Sequence, residues 1–401
     1  MQAPVDIFIS VAETSADQHA AALLRTAARR LPHCRFYGLT GPRMRDAGAE
    51  TVYDLTRHAA MLTDVLSVIG KARRAVGEVE RAWRRRPPAL VILLDSPELH
   101  LPLAERARRR GLPVLYYIAP QTWASRPWRN RRMARCIDRL ACILPFEQAY
   151  FRAAGLAADF VGHPLFETLA TQPPDPAVVR RLRGDGAPPL IALLPGSRRG
   201  VVDAVLPLQL DVLRRLRAMR APVSAAISAA NADRARQINA LLRPLADAER
   251  PAIVVDDNAS LLSAADLVLV ASGTATLHVA HYRKPMIVMY DAGSLLAALH
   301  GPLGRFVVHT PHLSLVNILA AARVVPEFMP RVPDRQAVAR VARQLLADDA
   351  WRRLMASQMD ELLRGLEQTR ASERVCEIIA EMLAGAQPHS RASEPGCARS
   401  G

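Results

Sequence analysis

The chain has 401 residues, half of them hydrophobic, 23% charged and 5% aromatic. This is globular composition, long enough for two domains, with no apolar run approaching the roughly 18 residues of a membrane span. The net charge of +15 is almost wholly arginine, Lys71 and Lys284 being the only lysines, which suits an anionic leaflet or a phosphorylated ligand better than nucleic acid, for which no module is present.

The opening, MQAPVDIFISV, lacks the basic stretch of an export signal and runs straight into a strand, residues 6–11. A helix through His19–Arg30 follows, then a strand at 34–39. Ala59–Arg74 pairs Met61, Leu62, Val65, Leu66, Val68 and Ile69 at near-helical spacing with Lys71, Arg73 and Arg74. That pattern fits a core-facing helix or a membrane-surface patch. Strand 91–94 precedes an arginine-rich helix, Leu101–Arg110, and strand-like runs follow at 113–119, 140–145 and 158–164. After Thr168, a stretch rich in Pro and Gly reads as a linker, 169–187. The alternation restarts with a strand at 190–195, helices near 201–217 and 232–242, and strands at 222–228, 252–257, 266–272 and 285–290. The end is helical from 336 to 384, with a tail, 385–401, of disordered composition. The five cysteines show no CxxC spacing, which predicts reduced thiols and no metal site. Strand–helix alternation in two halves predicts an α/β chain with doubly wound Rossmann-like domains, 1–168 and 188–335, facing a cleft.

Three turns carry chemistry. VILLDSPELH (91–100) ends a buried-strand run on a carboxylate, Asp95, with Glu98 and His100 close behind. Buried strands do not usually finish that way, whereas ligands in open α/β sheets bind beyond the carboxyl ends of strands. In LLPGSRRG (193–200) and LVLVASGTATLHVA (267–280), strands run through glycine turns into helices. Such turns let backbone approach a phosphate, and Arg198 matches a diphosphate with its planar fork. In VAETSADQHAA (11–21), Glu13, Ser15 and Asp17 stand at another strand-to-helix turn, where Ser15 reads equally as a helix cap. YIAPQTWASRPWRNRR (117–132) sets Trp123 and Trp128 among arginines, suited to sugar stacking, a membrane interface or core packing.

With GPRM (41–44), DSPELH (95–100), APQTWA (119–124), LPFE (144–147), VGHPL (161–165), LLPGSR (193–198), SGTATL (272–277) and SLVNILAAARVVPEF (314–328) in this order, the chain resembles the lipid-A-disaccharide synthase family from about residue 6 to about 330. The resemblance implies a GT-B glycosyltransferase that moves 2,3-diacylglucosamine from its UDP conjugate to 2,3-diacylglucosamine 1-phosphate (lipid X). The implied products are the β-1,6 disaccharide 1-phosphate and UDP, with inversion and without cofactor or metal. It makes Asp95 the base and assigns UDP to Ser197, Arg198, Ser272, Gly273, Thr274, His278 and Asn317. Glu13, Ser15, Asp17, Glu98 and Trp123 are acceptor-side candidates. The scattered thiols suit a cytoplasmic protein, and the acylated substrates that the resemblance implies, with the further basic runs 84–86 and 108–110, favour a peripheral hold on the anionic inner membrane through Val65, Leu66, Val68, Ile69, Lys71, Arg73 and Arg74, with a homodimer left open.

The chain departs from the family pattern at several positions. Ala12 and Ala16 replace glycines, Val201 and His278 replace glutamates, Ser125 replaces the second tryptophan of WAW, and Glu98, Leu99 and His100 stand where Asp, Phe and Asn are usual. A GT-B enzyme with another UDP-GlcNAc-derived substrate, or a lipid-binding paralogue without catalysis, are the alternatives these departures leave.

Overall fold

The computed structural model describes residues 4–55, 65–290, 312–330, 332 and 334–385, apart from the side chains of Thr14, residues 65–69, Lys71 and Ala72. The chain divides into two compact units, residues 1–120, 129–161 and 370–401, and residues 121–128 and 162–369.

In the first unit the chain runs β1 (Val5–Ser10), α1 (Thr14–Arg30), β2 (Cys34–Leu39), α2 (Pro42–Asp46), β3 (Glu50–Tyr53), α3 (Val65–Arg85), β4 (Leu90–Leu94), α4 (Pro97–Arg109), β5 (Val114–Tyr117), α5 (Arg129–Cys136), β6 (Arg139–Cys142), α6 (Pro145–Ala153) and β7 (Ala158–Phe160). Among the described residues the strands form one parallel sheet ordered β3-β2-β1-β4-β5-β6-β7. Alternate strand residues feed two apolar layers, as a period of two dictates. Ile7, Ile9, Ile92 and Tyr117 meet α1 on one face, while Phe8, Val91, Leu93 and Tyr116 meet α3, α4 and α5 on the other. On α1 the buried residues Ala16, Ala20, Leu23, Leu24 and Ala27 recur at helical spacing, which is why this helix lies along the sheet. Val91 to Leu94 are completely buried, as the continuous apolar run of a central parallel strand requires.

The second unit begins with α7 (Pro164–Thr171) and α8 (Pro176–Arg183), then β8 (Leu190–Leu194), α9 (Arg199–Ala218), β9 (Ser224–Ala229), α10 (Ala232–Leu242), β10 (Ala252–Val255), α11 (Asn258–Ala264), β11 (Leu267–Ala271), α12 (Ala275–His281), β12 (Met286–Met289), α13 (Leu315–Ala320), β13 (Glu327–Phe328), α14 (Arg335–Ala347) and α15 (Asp349–Leu363). Its described strands are parallel in the order β10-β9-β8-β11-β12-β13.

The boundaries run differently from the sequence expectation in two places. The stretch 169–187 is not bare linker: it includes α8, started by Asp175 accepting from the Ala177 N–H with Pro176 at the first helical position. Asp175 N–H to Ser260 Oγ at 2.8 Å and Arg183 Nε to the Ala264 carbonyl at 3.2 Å tie it to α11. The last helix, α16 (Ala371–Gly385), leaves α14 and α15 and packs its Val375, Cys376, Ile378 and Ile379 on the first unit's sheet beside α1. Ion pairs Arg30–Glu373 and Arg139–Glu381 border that packing. Of the segment 59–74, residues 59–64 lie outside the described residues, as do the side chains of Val65, Leu66, Val68, Ile69 and Lys71; Arg73 and Arg74 are exposed on α3.

Candidate functional site

Each sheet reverses its winding once, and there the chemistry-bearing turns gather. In the first unit the reversal lies between β1 and β4, paired from Ile7↔Leu90 to Ser10↔Leu93. The turn carrying Glu13 and the turn carrying Asp95 therefore leave the sheet side by side, the arrangement in which open α/β sheets bind ligands.

Asp95 and Ser96 are both left-handed, with φ of 52° and 45°. Side chains other than glycine adopt this region at a cost of roughly 1 kcal/mol or more each, and such strain persists only where surroundings enforce it. Here they do. The Asp95 N–H donates to the Tyr117 carbonyl at 3.1 Å, and the Asp95 carbonyl accepts from Tyr116 Oη and from His100 Nδ1, the latter at 2.7 Å. Ser10 Oγ lies 2.8 Å from His100 Nε2. Burial holds the His100 imidazole neutral, with its pKa down at about 4. A carbonyl only accepts, so Nδ1 is assigned the ring proton and Nε2 takes the Ser10 hydroxyl's.

Of the other acceptor-side candidates, four lie in the first unit and Trp123 lies in the second. Glu98 is exposed and paired with Arg129 at 2.9 Å. Glu13 is the residue before α1, and Ser15 is exposed. Asp17 is buried, with its carboxylate accepting from the Arg43 and Met44 N–H groups at 3.0 and 3.1 Å, so it caps α2. Trp123 is buried.

The second unit reverses between β8 and β11, which pair up to Val270↔Leu194. Its two glycine turns are therefore neighbours. Gly196 has φ 106° and Gly273 φ 132°, values that side chains rarely adopt, and both glycines are required as they stand. A Cβ on Gly196 would also lie 2.9 Å from the Val201 side chain, so Val201 is the wall of this turn. Below it, buried Gln209 ties the two strands by donating to the Leu194 and Leu269 carbonyls. Ser197 and Arg198 are exposed at the N-terminus of the 20-residue α9, whose free N–H groups and dipole favour an anion. Thr274 is exposed ahead of α12, and Ser272 donates to the Leu313 carbonyl at 3.2 Å.

His278 lies mostly buried on α12 against Tyr282, with ring centroids 5.8 Å apart. Burial takes its pKa down to about 4, and its Nε2 has no hydrogen-bond partner among the described residues. Asn317 departs from the expected role of a direct ligand. It is completely buried, its Oδ1 accepts from the Val324 and Val325 N–H groups, and its Nδ2 donates to the Val325 carbonyl. The amide holds the 324–325 turn, an employment no spacing in the sequence signals.

The sequence marks His100 only by its nearness to Asp95 and as a departure from the family pattern, and nothing in it singles out Ser10 or Tyr116. The position of His100 five residues after Asp95, with a helix start between them, was the visible trace; the parts played by Ser10 and Tyr116 emerge only once the strand order is known.

The buried histidines make stability depend on pH. Burial holds His19, His100 and His278 each at about 4, below the ordinary 6.5. The unfolded chain therefore takes up protons that the folded chain refuses, and their contribution is whole above pH 6.5 and lost as pH falls towards 4. Each histidine contributes up to about 1.4 kcal/mol per pH unit in that window. Urea unfolding at pH 7.5, 6.0 and 5.0 should show stability falling, and His100→Asn should lessen the slope. A flat profile to pH 5 would contradict the buried, neutral assignment.

The family model described as lipid-A-disaccharide synthetase matches residues 7–381. The lipid-A-disaccharide synthase of Myxococcus xanthus is 32% identical over 384 residues, covering 96% of this chain and 99% of that one. That of Anaeromyxobacter dehalogenans strain 2CP-C is 35% identical over 383 residues, covering 94% and 97%. Among solved structures the S. aureus MnaA–UDP co-structure superposes with a TM-score of 0.66 at 12% identity, covering 95% of this chain and 97% of that one, a likeness of fold alone.

Proposed function

The chain belongs to the lipid-A-disaccharide synthase family, a GT-B glycosyltransferase of lipid A disaccharide synthesis, and from that premise we propose how its residues divide the work. The donor is UDP-2,3-diacylglucosamine and the acceptor lipid X. The acceptor's 6-hydroxyl oxygen attacks the anomeric carbon from the face opposite UDP, its proton passes to the Asp95 carboxylate, and the bond from the anomeric carbon to the diphosphate oxygen breaks. Positioned general bases contribute roughly 10²–10⁴ in rate. UDP leaves with its charge met by Arg198, Ser197 and the N–H groups of the turns at Gly196 and Gly273. The adjacency of those turns, fixed by the β8–β11 pairing, carries the donor assignment. His278 meets the ribose with a neutral imidazole where the family pattern has a carboxylate. Expression of this chain in cells depleted of their own synthase tests the reading: restored disaccharide supports it, and failure by a well-expressed chain counts against it.

Acylated substrates have to be reached in a bilayer, and no described helix is long and apolar enough to cross one. The helical layer α3–α5 supports a peripheral mode. Arg73, Arg74, Arg84, Arg85, Arg131 and Arg135 are exposed on it with no ion pair to a carboxylate among the described residues, and Arg109 is exposed beside them near Glu105. Each basic residue near an anionic leaflet contributes about 1 kcal/mol, screened within a Debye length. The protein should sediment with anionic vesicles at low salt and be released at about 1 M salt. Arg84→Glu with Arg85→Glu and Arg109→Glu should abolish sedimentation while the chain stays folded; undiminished sedimentation would rule this face out.

A further inference from the structure

We infer that His100 is a positioning residue for the reaction: with Tyr116 it clasps the Asp95 carbonyl, locking the left-handed turn that decides where the Asp95 carboxylate points. The inference rests on Asp95 being the base. Its grounds are geometric. Backbone dihedrals set the Cα–Cβ direction from which the side-chain torsions place a carboxylate, and at Asp95 and Ser96 those dihedrals are values a relaxed chain would leave. Of the side-chain donors given to the Asp95 carbonyl, one comes from β5 and one from α4, so the turn is held from two elements. Ser10 at the end of β1 fixes the far side of the imidazole, its hydroxyl proton on Nε2, which leaves the Nδ1 proton for the carbonyl. The clasp thus spans β1, β4 and β5 at the point where the sheet reverses. His100 touches no reacting atom in this scheme; it acts through Asp95.

Two amides separate the halves of the imidazole. Asparagine places a donor where Nδ1 stands and gives up the Ser10 contact; glutamine reaches the Nε2 position and gives up the carbonyl. The test is turnover and donor KM of the purified full chain for Asp95→Asn, His100→Asn, His100→Gln and Tyr116→Phe, with thermal midpoints for each. His100→Asn should keep kcat within about threefold. His100→Gln should lose at least roughly tenfold in kcat with KM little changed, since small misplacements of a catalytic group are expensive. Tyr116→Phe should move kcat in the same direction. A residue that merely supports the fold would show no such split between asparagine and glutamine. Equal turnover by folded His100→Gln and His100→Asn overturns the inference. Should His100→Gln not fold, unchanged kcat in Tyr116→Phe overturns it instead. Wild-type turnover in Asp95→Asn removes both the base and the clasp; an inactive Asp95→Asn beside fully active His100→Gln and Tyr116→Phe removes the clasp alone.

Discussion

Asp95→Asn should fold as the wild type does, bind UDP equally well, and turn over at least about 10² more slowly, the lower end for a lost general base. Asparagine tolerates the left-handed region as readily as aspartate, so the φ of 52° is kept. The hydrogen bonds that hold the turn go to the backbone carbonyl and N–H, which the change leaves alone. What disappears is the carboxylate's ability to take a proton. Single-turnover rates with matched thermal midpoints check this, and near-wild-type turnover by the folded variant would remove Asp95 from the chemistry. Glu98, exposed and paired with Arg129, would then be the next carboxylate to replace.

Arg198→Ala should weaken UDP by about 1.5–3 kcal/mol, roughly 10- to 150-fold in Kd, the worth of a charged hydrogen bond. Arg198 precedes α9 on an exposed turn, so its loss leaves the apolar core untouched. Calorimetric titration with UDP reads the change, and an unchanged Kd would place the diphosphate elsewhere. His278→Glu belongs in the same titration. Burial that disfavours a charged imidazole disfavours a carboxylate too, so glutamate should weaken binding. Tighter binding would make the histidine a lost contact and not a replacement.

What could be read from the residues divides by whether burial is continuous. β4, β8 and β11 are buried at every position and stand out as unbroken apolar runs. The edge strand β3 has only exposed and half-buried residues, and β13 has two residues, so neither carried a recognisable pattern. The stripe Val375, Cys376, Ile378 and Ile379 announces a helix with a buried face, but nothing local tells which sheet covers it. The same limit governs the site. A carboxylate ending a buried strand is conspicuous, as are two glycine turns before helices. Asp17 and Asn317 look equally available in the sequence; backbone N–H groups claim both, and that competition is settled only by tertiary neighbours. The clasp on Asp95 draws on residues 10, 100 and 116, which only the strand order brings together.

The most direct measurement is the reaction itself: purified wild-type chain, UDP-2,3-diacylglucosamine and lipid X, with the product's linkage and the UDP released both determined. One UDP should appear for each β-1,6-linked disaccharide 1-phosphate formed. UDP release without disaccharide, or an α-linked product, would contradict an inverting transfer assisted by Asp95.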